Sequence, residues 1–340
     1  MDFPLSFPVK ISFQVFAPWR GRLARGLILS RTRCPCHAAI ALACALLAGC
    51  HTAQIRPSTT PPSGDEIVVA GQRFHTGTRV VTWLEPEGYN AYRGAAPLEL
   101  RQPNGLSARE AARVKARGWT LPTLQKVVDQ FVVHYDAEGL SRICFDVLRK
   151  RPGLGVHFLL DVDGTIYQTL DLQERAAHAT IANSRSIGIE IANIGAYPPA
   201  ESAPLGEWYA RDAQGGTIIA IPKKIREPGI RTRDFVGRPV RAAPVNGVVQ
   251  GKALVQYDFT PEQYTALAKL TATLCRVFPR IACDAPRDAS GAVLLRKLPD
   301  ADFANHRGIL GHFHIQENKV DPGPAFQWEA FLAETRRELR

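Results

Sequence analysis

Short apolar runs, each too brief for a helix, recur through the middle of the chain and alternate with segments of helical period. This alternation narrows the possible folds more than any other feature. Val127–His134 (VVDQFVVH) is a predicted strand, and Leu140–Lys150 then sets Leu140, Ile143, Cys144, Val147 and Leu148 at helical spacing. HFLLD and IYQTL flank Asp163-Gly164, a pair that favours a two-residue hairpin turn because both residues tolerate positive φ. Arg185–Asn193 (RSIGIEIAN) reads as a further strand, buried on at least one face, and Val68–Leu84 as one or two more around Gly71 and Gly77. Helix signals are local: Ser107 with Glu110 as a capping box, then Thr260, Pro261 and Gln263 as N-cap, first turn and box partner of a helix to about Phe278. A last helix is predicted over Phe326–Leu339. Alternating strands and helices imply an α/β fold. Two stretches, about 198–258 and 284–305, lose periodicity and read as long loop insertions, the first with some strand and ordered over the domain surface.

The first fifty residues read differently. Arg31 and Arg33 precede Ala38–Ala48, an uncharged run that ends in Leu47-Ala48-Gly49-Cys50. As a helix it would span about 17 Å, short of the ~30 Å hydrocarbon core, which suits a signal peptide better than a membrane span. The end of the run resembles a bacterial lipobox, so residues 1–50 are expected to be a lipoprotein signal with Cys50 the lipidation site. An ordinary secretory signal and a buried helix are the alternatives. His51, in place of Asp, implies by the same resemblance the periplasmic face of the outer membrane. Residues 51–66, rich in Ser, Thr and Pro, read as a tether, and 67–118 as an N-terminal extension.

Export also changes the charge. The chain carries 42 Lys+Arg and 32 Asp+Glu, a net +10. Six of the bases but only Asp2 of the acids precede Cys50, so the remainder is +5. Nothing in the chain supports nucleic-acid binding, and a monomer is expected. Of the seven cysteines, Cys144, Cys275 and Cys283 remain after the signal, in an oxidising compartment; Cys275 and Cys283 could pair, or all three could be core thiols.

Candidate chemistry lies in three separated segments. His134 ends the run FVVH, His312 follows Gly311, and Asp321 stands ahead of Pro322-Gly323-Pro324. Two imidazoles and one carboxylate form a donor set for a catalytic zinc that leaves one position to water. Their spacing matches no local zinc motif, and each alone would be an ordinary polar residue.

The segments FVVHYDAEG, GVHFLLDVDGTIYQ, AAHAT with NSRSIGIEIANIG, and GHFHIQENKVDPGPAFQW resemble, in order, the motifs of zinc-dependent N-acetylmuramoyl-L-alanine amidases of the AmpD type, relatives of the peptidoglycan recognition proteins. The resemblance covers about residues 125–335, within an expected domain 119–340, and implies a central mixed sheet flanked by helices. It implies Zn2+ on His134, His312 and Asp321, Glu190 as the general base, and Lys319 as the cation that steadies the oxyanion. His178, His157 and Asn183 are implied at the substrate, His178 there or on the oxyanion, and His157 as a strand histidine behind the site or equally a hydrogen-bonded core residue. Ala177 and Thr180 depart from the family's Trp and Gly around His178, and His314 competes with His312 as ligand. The activity implied is hydrolysis of the bond between N-acetylmuramic acid and L-alanine in peptidoglycan or muropeptides. The alternatives are a zinc peptidase of the stem peptide and a binding module without catalysis.

Overall fold

The computed structural model describes residues 64–94 and 98–340. The signal 1–50, its Cys50 and the tether as far as residue 63 lie outside the described residues. The chain forms β1 (Glu66–Val69), β2 (Gln72–His75), β3 (Val80–Thr82), α1 (Ala108–Arg117), α2 (Leu121–Val127), β4 (Gln130–Tyr135), α3 (Ser141–Lys150), β5 (Phe158–Leu160), β6 (Ile166–Gln168) and β7 (Ser186–Ile191). It continues through α4 (Ala203–Trp208), β8 (Tyr209–Arg211), β9 (Thr217–Ile219), β10 (Val245–Val249), β11 (Lys252–Gln256), α5 (Pro261–Val277), α6 (Asp300–Asn305), β12 (Gly308–Gly311) and α7 (Trp328–Leu339). Among the described residues no helix is long and apolar enough to cross a membrane.

Six strands make one sheet in the order β12-β4-β7-β5-β6-β3. β12, β4, β7 and β5 are mutually parallel, β6 turns antiparallel to β5, and β3 lies parallel to β6. This is the expected central mixed sheet. Strand side chains alternate between faces. On one face Phe131, Val133, Ile187, Ile189 and Phe158 pack with Leu267, Leu270 and Leu274 of α5 and with Phe331 and Leu332 of α7. Each such burial contributes about 1.5–3 kcal/mol relative to exposure, so this face holds the domain together. α5 begins as its sequence predicts: Thr260 Oγ1 accepts from the Gln263 amide at 3.1 Å, and Gln263 Oε1 accepts from the Thr260 amide at 2.9 Å. On the other face α3 covers only the β5–β6 side, through Cys144, Leu159 and Tyr167.

Four expectations change. The β5–β6 loop has three residues rather than two: Gly164 N donates to Asp161 O, Asp161 N donates to Thr165 O, and of the Asp-Gly pair only Gly164 has positive φ. Val127 closes α2 rather than opening the strand. The N-terminal extension is not separate from the domain, because β3 forms the sheet edge and Ile67 and Val69 join the main core. Arg101, buried in that extension, donates to the carbonyls of Ser184, Ser186, Leu172 and Glu174 at 2.9–3.3 Å. The strand expected in 198–258 is present as two hairpins, β8–β9 and β10–β11, which follow α4, whereas 284–305, expected as loop, contains α6. Cys275 and Cys283 are free thiols.

Candidate active site

Strand register sets the site. β4 pairs with β7 so that His134 stands beside Glu190, on the face opposite the core. β12 pairs with the same β4 and ends at Gly311 opposite Val133, which brings His312 out level with His134. Gly311 is needed for packing: a Cβ there would lie 2.8 Å from Pro322 Cδ, so its absence lets the Asp321-Pro322 segment close over the strand end. Three side chains then converge. His134 Nδ1 lies 3.0 Å from His312 Nδ1 and 2.8 Å from Asp321 Oδ2, and His312 Nδ1 lies 3.0 Å from the same oxygen. All three residues are buried.

The donor chemistry fits a metal ion. Two imidazole nitrogens and a carboxylate oxygen point at one another, and protons shared among them cannot satisfy all three lone pairs as one divalent cation would. The remaining ring nitrogens are occupied by the protein: His312 Nε2 faces Gln316 Oε1 at 2.8 Å and His134 Nε2 faces His178 Nδ1 at 3.0 Å. Each ligand thus has an outward partner that orients its ring. Burial, and next the facing His312, lower the His134 pKa to about 4, which keeps the ring neutral as a ligand must be. Burial pushes the Asp321 carboxyl up, but His312 and His134 together hold it well below the usual range.

Glu190 is the second unusual group. Its Oε2 is buried without a hydrogen-bond partner. Burial, then the Asp321 and Asp136 carboxylates, raise its pKa well above the ordinary value, while Lys319 opposes the rise. An unpartnered carboxylate beside a donor triad is placed to take up a proton.

Residues 124–324 match the family of N-acetylmuramoyl-L-alanine amidases (Amidase_2), well over half of the chain. The chain belongs to that amidase family. Among solved structures it is similar to AmiD of E. coli in complex with anhydro-N-acetylmuramic acid-L-Ala-D-gamma-Glu-L-Lys, at 17% identity over 61% of this chain and 57% of that one, with a TM-score of 0.35. It is also similar to an AmpD structure (18% identity, 64% and 87% covered, TM-score 0.30) and to the amidase LysC of Clostridium intestinale (14%, 63% and 88%, TM-score 0.31). No curated protein matches the chain significantly.

Several residues expected at the substrate have their polar atoms taken up by the protein itself. His157 is wholly buried: its Nδ1 accepts from the Gly188 amide at 3.1 Å, which leaves Nε2–H to donate to Glu174 O at 3.2 Å. It braces β7 from within. Asn183 is also buried, and its Oδ1 accepts from the amides of His178 and Ala179 at 3.1 and 2.7 Å, so it shapes a loop. His178 has both ring nitrogens engaged, one on His134 and the other facing Ser186 Oγ at 3.2 Å. His314 is buried, accepts from the Gly311 amide at 2.9 Å and faces Leu294 O, so the triad is built on His312 instead. Lys319 is partly exposed, and among the described residues its ammonium has no hydrogen-bonding partner.

The sequence reading passed over two glutamines from the first insertion. Buried Gln256 donates to Pro322 O at 3.1 Å and accepts from the Ala325 amide at 3.0 Å, clamping the Asp321 loop. Gln250 donates to Phe313 O and Gln316 O at 2.7 and 3.0 Å and accepts from the Lys297 amide at 3.0 Å, joining both insertions to the His312 segment. Gln256 ends the apolar run ALV of β11, and a polar residue in that position was the available signal.

Proposed function

We propose that the protein is a zinc-dependent peptidoglycan amidase that cleaves the amide between the lactyl carbonyl of N-acetylmuramic acid and L-alanine of the stem peptide. The observation that carries this reading is the convergence of His134, His312 and Asp321 at 2.8–3.0 Å beside the unpartnered Glu190. The family match supports the choice of bond. Zinc held by the triad would supply Lewis acidity for the carbonyl and for water. Glu190 takes the proton from the attacking water and delivers it to the leaving nitrogen, a transfer suited to a carboxylate whose affinity for protons burial has raised. Lys319, with its ammonium free, stabilises the negative charge that develops on the carbonyl oxygen. Gln316 and His178 orient the two imidazoles.

Mass spectrometry of products from purified sacculi tests the reading. Release of intact stem peptides with a free L-alanine amine is expected. Cleavage within the stem would instead make the protein a peptidase, and binding without products a recognition module. Chelation abolishes release and added zinc restores it; release from metal-free protein would overturn the mechanism. The Cys50 motif and the tether support lipid anchoring on the periplasmic face of the outer membrane. Incorporation of labelled fatty acid that is lost in Cys50→Ser checks this part independently.

A further inference from the structure

The environment of His178 assigns it a task other than substrate contact. We propose that His178, backed by Ser186, is a positioning residue that keeps the proton of His134 on Nε2 and so leaves Nδ1 bare for the metal; this rests on the zinc reading above. His134 has one proton for two nitrogens when neutral. Asp321 Oδ2 stands 2.8 Å from Nδ1 and draws the proton there through a charge-assisted hydrogen bond, which is the form that cannot bind metal. His178 Nδ1, 3.0 Å from His134 Nε2, offers the competing acceptor. With the proton on His134 Nε2, His178 carries its own on Nε2 and donates it to Ser186 Oγ at 3.2 Å. In that arrangement every nitrogen of the pair except the metal-facing one has a hydrogen-bond partner.

The fold holds His178 in place from several sides. Its ring lies against Gly188 on β7, where a Cβ would come within 2.6 Å of ring atoms, so any side chain at 188 would displace it. Asn183 Oδ1 grips the backbone amides of His178 and Ala179. Thr180 is held at φ +44, a left-handed conformation that β-branched residues avoid and that survives where the surroundings over-determine it. Thr180 thus keeps, at the start of the turn that presents His178, a conformation that a glycine would adopt without strain. Ser186, Gly188 and Glu190 fall on one face of β7 by strand alternation, so a single strand carries the hydroxyl, the space for the ring and the proposed base.

The test titrates metal-free protein with zinc against a chromogenic chelator and locates the imidazole protons of zinc-loaded, 15N-labelled protein by long-range 1H–15N correlation. Wild type is expected to show His134 protonated on Nε2. His178→Leu should weaken zinc binding by about 10–100-fold. His178→Asn, whose Oδ1 can stand near the lost Nδ1, should restore most of it, and Ser186→Ala should weaken binding by less than His178→Leu. Wild-type affinity in folded His178→Leu, or the proton of zinc-loaded His134 on Nδ1, overturns the relay. Should His178→Leu not fold, the wild-type proton position and the Ser186→Ala titration decide. Failure of the wild type to take up zinc would instead overturn the metal reading itself.

Discussion

The two faces of β4 and β7 are made by neighbouring residues in the same strands, yet they differ in almost every physical respect. Val133 and Ile189 point into a core sealed by α5 and α7. His134 and Glu190, one residue further along, point the other way into a site with a crowded donor triad and a buried oxygen that has no partner. The core face gains free energy from each group it buries. The site face gives some of it up, since burying an unpartnered carboxylate costs stability. Stability and chemistry are thus separated here by the two-residue period of a strand and can be perturbed independently.

Glu190→Gln is the strongest test of that separation. Turnover should fall by about 10²–10⁴-fold, zinc binding should persist, and the protein should melt no lower than wild type; normal turnover would assign the base elsewhere. Ile189→Ala, the adjacent residue on the other face, should do the reverse and cost about 2–5 kcal/mol in urea unfolding while the folded fraction keeps its zinc affinity. Asp161, buried at the end of β5, sharpens the contrast through pH. Burial raises its carboxyl from 3.8 to about 7, so the folded state holds the proton more tightly than the unfolded chain. Its contribution is complete below about pH 3.8 and is lost as pH rises towards 7. Urea midpoints of wild type relative to Asp161→Asn should therefore decline across that window, and a parallel pair of curves would contradict the assignment. The smallest effect is expected at Thr180→Gly, which relieves the left-handed strain and should stabilise by about 1 kcal/mol without altering zinc affinity.

What the sequence revealed follows the range of each interaction. The Thr260–Gln263 box and the Ser107–Glu110 box lie within four residues and were legible outright. The triad residues stood out because His134, Gly311-His312 and Asp321 sit in family-like motifs, although nothing local shows that they meet. Asn183 misled because a motif position does not say which way a side chain turns, and it turns inward onto backbone amides; His157 does the same, as its core alternative allowed. Ser186 could have been placed by counting back in twos from Glu190. Arg101, Gln250 and Gln256 could not, since their partners lie 47 to 85 residues away and no periodicity links them. The three-residue loop at Asp163 was set by how β5 and β6 pair rather than by the Asp-Gly dipeptide.

Arg101 and β3 bear on where this domain can be cut. The family match starts at residue 124, downstream of both. A recombinant fragment begun at that boundary would lose the guanidinium that binds the carbonyls of Ser184 and Ser186, at the root of the strand that carries Glu190. It would also leave the β6 edge bare, a row of unpaired amides and carbonyls that recruits other chains. The smallest fragment that keeps both begins upstream of β3, and the segment that looked like an appendage is the part that covers an edge otherwise open to another chain.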